Sequence, residues 1–126
     1  MNIKINEPPR EFQVGFDRIL IIKDFAHIEL NADEQVTMCT AEGNEYDVAR
    51  KSWGFYATPS LNTRLLHFKL HAVLVKNRQD QFYVMLVEEG KEALFQDYVD
   101  NEPLQIVCWL DDTAKLLELE KKVKGG

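Results

Sequence analysis

An α+β domain is predicted by three features of the chain. Apolar and polar residues alternate at period two through the amino half, the longer helix-period stretches lie in the carboxyl third, and no internal repeat or low-complexity linker divides the sequence. With 126 residues, one core is enough, since a chain of this length buries roughly two-thirds of the surface it exposes when unfolded. The expected architecture is an antiparallel β-meander or small barrel in the amino half and a β-β-α-β-α carboxyl half, forming a single domain over residues 11–124.

Residues 1–10 are polar, contain Pro8-Pro9, and read as a tail. Ile19 to Ile22 is a β-branched and apolar run, and Ala26, Ile28 and Leu30 alternate with His27 and Glu29 as a half-buried strand would. Val36, Met38 and Thr40 alternate again, as do Tyr46 and Val48, with Asn31-Ala32-Asp33-Glu34 and Glu42-Gly43-Asn44 supplying turns. Ala72 to Val75 and Phe82 to Val87 form a hairpin around the loop Lys76 to Gln81. After Gly90, the residues Leu94, Phe95, Tyr98 and Val99 share one helical face, and Asn101 with Pro103 ends the helix. Leu104 to Leu110 is another strand, and Asp111-Asp112-Thr113 caps a last helix through about Lys122. The order allows the helix at 91–101 to cross back over the sheet.

Composition excludes several functions. The formal net charge of −6 argues against a protein whose whole surface coats nucleic acid or anionic lipid. The longest apolar run, Phe82 to Val87, is too short to span a bilayer, and the amino terminus lacks the apolar core of a secretory signal. A soluble, cytoplasmic protein without membrane insertion is expected. Cys39 and Cys108 have no CxxC context and fit buried free thiols in a reducing compartment. Neither a GxGxxG nor a P-loop is present, so no nucleotide cofactor is expected.

The segment from 49 to 70 stands apart. Connections of this length without structure of their own are usually functional. Part of it reads as a helix, with Ser60 near the N-cap and Leu61, Leu65 and Phe68 on one face. Between Asp47 and Asp80 there is no acidic residue, while Arg50, Lys51, Arg64, Lys69, Lys76 and Arg78 give +6. The remainder holds nine basic and twenty-one acidic residues, a net −12. Trp53, Phe55, Tyr56 and Phe68 lie in the same stretch, and aromatics beside arginines suit stacking and bidentate capture of phosphate or carboxylate.

A ligand-binding set follows from that pattern. Arg50, Lys51 and Arg64 would neutralise charge, Trp53 and Tyr56 would stack, and Thr58, Ser60 and Asn62 would donate hydrogen bonds to an anionic small molecule or an acidic protein surface. The competing structural reading has Arg50 and Lys51 facing Glu29, Asp33 or Glu45 across the sheet, and Trp53, Phe55 and Leu61 plugging the core. His67 is the weak catalytic candidate, as acid or base of a small enzyme acting on a phosphorylated or sugar-nucleotide substrate. Drawn with Ser60 and Asp47 it would make a triad, but no nucleophile elbow supports one. His67 and His71 have metal-ligand spacing without a third ligand, so no metal is expected. Single-stranded nucleic acid is an unlikely partner in the −12 frame.

The strings Glu34-Gln35-Val36-Thr37, Glu45-Tyr46-Asp47-Val48 and Trp53-Gly54-Phe55-Tyr56-Ala57-Thr58-Pro59-Ser60-Leu61-Asn62-Thr63-Arg64-Leu65 carry a resemblance. Over roughly residues 34–112 the chain resembles a family of small uncharacterised bacterial proteins associated with gene neighbourhoods for surface-polysaccharide biosynthesis. The resemblance implies a bacterial, cytoplasmic accessory protein and assigns no catalytic role; the charge segregation and the length of the connection favour a non-enzymatic binding module.

Overall fold

The strands pair antiparallel throughout and fall into three sheets in a computed structural model that describes residues 1–15 and 19–125. β1 (Asn2–Val14) and β2 (Leu20–Glu29) form a two-stranded ribbon. β3 (Gln35–Cys39), β4 (Glu45–Lys51) and β5 (Gly54–Tyr56) form a second sheet in that order. One helical turn, α1 (Arg64–His67), leads into β6 (Leu70–Lys76), which pairs with β7 (Phe82–Glu88). Helix α2 (Glu92–Asn101) then carries the chain to β8 (Gln105–Trp109) on the far side of β6, and α3 (Thr113–Lys124) ends the fold.

The sequence makes β6 the centre. Leu70-His71-Ala72-Val73-Leu74-Val75 is apolar on both faces, which suits a strand with neighbours on both edges and layers above and below. On one side Leu70 and Ala72 join Leu65 of α1, with Tyr46, Leu61, Leu86 and Leu110 against them. On the other, Val73 and Val75 join Val87, backed by Met85, Phe95, Leu104, Ile106 and Trp109. The Phe95 and Trp109 rings meet edge to face at 5.9 Å, an arrangement favoured by their quadrupoles. Since β7 and β8 each run antiparallel to β6, they are parallel to one another, and α2 is the crossover between them.

The mixed α+β class holds, with strands in the amino half and helices towards the carboxyl end. Three details differ from expectation. The stretch read as a polar tail at 1–10 lies within β1 from Asn2 onward; Ile3 and Ile5 alternate with Lys4 and Asn6, and the ten-residue β2 supplies the partner. Pro8-Pro9, which lack amide donors, lie where the register shifts between Ile5 and Arg10, so the prolines interrupt the ladder without ending the strand. The amino-half strands are divided between a ribbon and a three-stranded sheet and do not curl into a barrel.

Helix faces are less buried than their patterns suggest. In α2 Val99 is buried and Phe95 half-buried, while Leu94 and Tyr98 remain exposed. Helix α3 has no buried residue, although Asp112 caps it by accepting from the Lys115 amide at 3.2 Å. Both thiols are free, but Cys39 is exposed and Cys108 half-buried, contrary to the expectation of two buried cysteines. Among the described residues no helix is long and apolar enough to cross a membrane.

Leu65, with no solvent exposure, is the test of the core. Leu65→Ala is expected to cost about 2–4 kcal/mol through lost burial and a residual cavity, whereas Leu94→Ala, at a side chain 69% exposed, should change stability by less than about 0.5 kcal/mol; urea unfolding monitored by circular dichroism measures both.

Candidate functional site

The acid-free segment begins on β4 and turns at Ser52-Trp53, with Lys51 facing Gly54 in the β4–β5 register. Gly54 has φ of +151°, a region that a residue with Cβ rarely occupies. Arg50 closes the turn from beneath. Its Nη1 donates to the carbonyls of Lys51 and of Gly54, the latter at 2.8 Å, and its guanidinium lies 5.4 Å from the centre of the Phe55 ring. Lys51 Nζ reaches Asp33 Oδ1 at 2.5 Å, as the structural reading of these cations anticipates. Trp53, 71% exposed, stands at the tip with Phe55 and Tyr56 also exposed. These aromatics do not plug the core.

Arg64, next to the buried Leu65 in α1, is held elsewhere. Its Nε donates to Asp47 Oδ2 at 2.6 Å, Glu45 lies 4.0 Å from Nη2, and the Phe68 ring centre is 4.8 Å from Cζ. The hydroxyl of Thr37 donates to the other carboxylate oxygen of Asp47 at 2.8 Å. Asp47 is only 8% exposed, and a buried carboxylate requires such partners. The Arg64 guanidinium and then the Thr37 hydroxyl hold its pKa below the ordinary aspartate value.

Of the remaining members of the sequence-derived set, Ser60 and Asn62 have structural partners. Ser60 Oγ accepts from the Arg64 amide at 2.8 Å, the backbone bond expected of its hydroxyl, but the N-cap of α1 is Thr63, whose side chain makes no capping bond. Asn62 Nδ2 donates to Thr113 Oγ1 at 3.0 Å, tying the segment to the start of α3. Thr58 is half-buried beside the buried Pro59. His67 is exposed with its ring edge against Phe68, centroids 5.0 Å apart. Ser60 and Asp47 are thus committed to Arg64, and no triad with His67 assembles. Arg50, Lys51, Trp53 and Tyr56 all lie on the β4–β5 hairpin, with Tyr56 two register positions back from the turn, whereas Asn62 and Arg64 bond Thr113 and Asp47.

A cavity of about 470 Å³ lies between the β3–β4 pair and the β7–α2 layer, lined chiefly by Met38, Tyr46, Leu70, Leu86 and Phe95. None of the eight predicted ligand residues lines it. Its charged lining residues are Glu45, Glu88 and Lys91, and Lys91 is already paired, 2.6 Å from Glu88 and 3.7 Å from Glu42. That pairing lowers the pKa of Glu88 and raises that of Lys91. The lining carries more acid than base, so it does not suit an anion. Tyr46 bridges the two regions: its hydroxyl donates to the Ala57 carbonyl, and burial raises its pKa.

Two polar contacts escape the sequence reading. His71 Nδ1 meets Asp111 Oδ2 at 2.6 Å, so Asp112 alone caps α3 and Asp111 serves the sheet. The available signal is His71 itself, a polar residue in an otherwise apolar strand, which demands a partner. The buried Asn44 donates from Nδ2 to the carbonyls of Phe68 at 2.9 Å and Lys69 at 3.4 Å, joining the β3–β4 turn to α1. Comparison with protein-family models, with curated proteins and with solved structures finds no match.

The Asp47 contacts generate a pH prediction. Because its folded pKa is depressed, the stabilisation is fully present above the unfolded value of about 3.9 and is lost as pH falls through the folded value. Arg64→Leu should therefore cost about 1–2 kcal/mol at pH 7 and diminish the loss of stability between pH 7 and pH 3, read from urea midpoints at both pH values.

Proposed function

We propose that this protein is a non-enzymatic binding module whose contact surface is the β4–β5 tip and whose partner is an acidic protein face. The observation that supports the reading is the exposure of Trp53 on the turn and of Phe55 and Tyr56 on the β5 strand that follows it, a hairpin braced by Arg50. Aromatic residues and arginine are the side chains that dominate protein–protein contacts, because they contribute much area at little cost in conformational entropy. Lys51 supplies the cation: its partner Asp33 is largely exposed, and an exposed pair of this kind is weak enough to exchange for another carboxylate.

A protein face suits this geometry better than a small anion does. A small ligand is ordinarily enclosed in a concave site with convergent polar groups, whereas Asn62 and Arg64 are bonded to Thr113 and Asp47 instead of turning towards the tip. The family resemblance supplies the setting, in which the acidic partner is another component of bacterial surface-polysaccharide assembly.

Poly-L-glutamate serves as the acidic probe and UDP-glucose as the small anionic one. Poly-L-glutamate is expected to shift the amide resonances of residues 51–56, with affinity falling as salt rises, and Trp53→Ala should weaken it about tenfold, equivalent to about 1.4 kcal/mol. Millimolar UDP-glucose should leave residues 50–64 unshifted. Selective shifts at Asn62 and Arg64 with UDP-glucose, or none at the tip with poly-L-glutamate, would overturn the reading.

A further inference from the structure

The ribbon formed by β1 and β2 is long, apolar and largely uncovered. Ile3, Ile5, Phe12, Ile21, Ile22, Phe25 and Ile28 are all exposed on it, and neither buried cluster includes a ribbon residue. A two-stranded sheet alone is marginal in water. The whole chain exposes 9233 Å² at a mass of 14.6 kDa, whereas a compact folded monomer of that mass exposes about 6,900 Å². The excess, roughly 2,300 Å² per chain, lies within the range of about 1,000–2,500 Å² that one partner of an obligate homodimer buries.

We infer that a second copy of this chain pairs with the open edge of the ribbon, the two β2 strands running antiparallel edge to edge about a two-fold axis at Phe25. The two free edges of the ribbon are unequal. Pro8 and Pro9 interrupt β1, and prolines on an edge oppose strand addition, whereas the ten residues of β2 contain none. The side-chain amide of Asn6 donates to the Asp24 carbonyl at 2.9 Å, so the backbone groups of Asp24 face β1. Alternation along the strand then turns those of Lys23, Phe25 and His27 to the open edge.

Symmetry restricts the register. A two-fold axis normal to the sheet places one residue opposite its own copy, and only axes at Asp24 or Phe25 pair nine residues of β2. The first sets carboxylate against carboxylate, which is destabilising; the second sets ring against ring, which is favourable. It also places Ile22 opposite Ile28 of the second copy and keeps Lys23 opposite His27. Phe25 has no partner in β1, because the register irregularity between Ile5 and Arg10 falls opposite it. At 59% exposure it is an exposed aromatic side chain outside the β1–β2 register, at the position where the axis would lie.

Light scattering on the full chain is expected to give twice the 14.6 kDa mass, and hydrogen exchange to show protection of the outward amides of Lys23, Phe25 and His27. Facing residues in a hydrogen-bonded pair have Cα atoms about 5.5 Å apart, within disulfide reach. In a Cys39→Ser, Cys108→Ser background, Phe25→Cys should therefore form a symmetric inter-chain disulfide under mild oxidation, whereas Asp24→Cys should not. The wild-type mass and exchange readouts require no substitution, so a variant that fails to fold leaves the test intact. A monomeric mass, fast exchange at those three amides, or cross-linking through residue 24 instead of 25 would overturn the inference.

Discussion

Burial of β6 on both faces is the constraint on which the rest of the structure depends. Val73 and Val75 anchor one cluster, Leu70 and Ala72 the other. Each cluster needs its own cover: the crossover through α2 supplies one, and the segment at 57–68, with Leu61 and Leu65, supplies the other. The long connection between the two β units is therefore a structural layer. Its single helical turn exists to bring Leu65 onto β6, and its polar residues hold it there through Ser60, Asn62 and Arg64.

The same requirement accounts for the charge. A +6 segment within a −12 frame is a separation along the chain, and folding closes part of it. Lys51 meets Asp33, Arg64 meets Asp47 and Glu45, and Arg50 turns onto backbone carbonyls. The largely exposed acids paired with the segment's cations are Asp33, beside Lys51 on the β4–β5 hairpin, and Asp80, beside Lys76 at the β6–β7 turn. The aromatic residues on the β4–β5 hairpin are uncovered because the core is already complete without them.

Much of this was legible in the sequence, and the failures share a cause. Period-two and period-3.6 patterns locate β6, β7, β8, α2 and α3, since these elements bury one face or two and their residues say so. The turn at 77–81 is legible in its Asn and Asp content, and Asn77 does bond the amides of Gln79 and Gln81. What pattern does not reveal is long-range polar pairing: Asp47 reads as surface charge until Arg64 and Thr37 are beside it, and Asp111 reads as a cap until His71 faces it. Trp53 and Phe55 read equally well as core or surface, because their chemistry suits both. The ribbon strand β1 was hidden by Pro8-Pro9, whose interruption of the ladder looks like the end of structure.

The claim that internal acids partly close the basic segment is tested most directly by titrating the Asp47 carboxylate through its side-chain carbon resonance. If the Arg64 and Thr37 contacts are as described, Asp47 ionises clearly below about 3.9 and moves up towards that value in Arg64→Leu. An Asp47 pKa at or above the ordinary aspartate value, unchanged by that substitution, would contradict the account and return Arg64 to the pool of free cations.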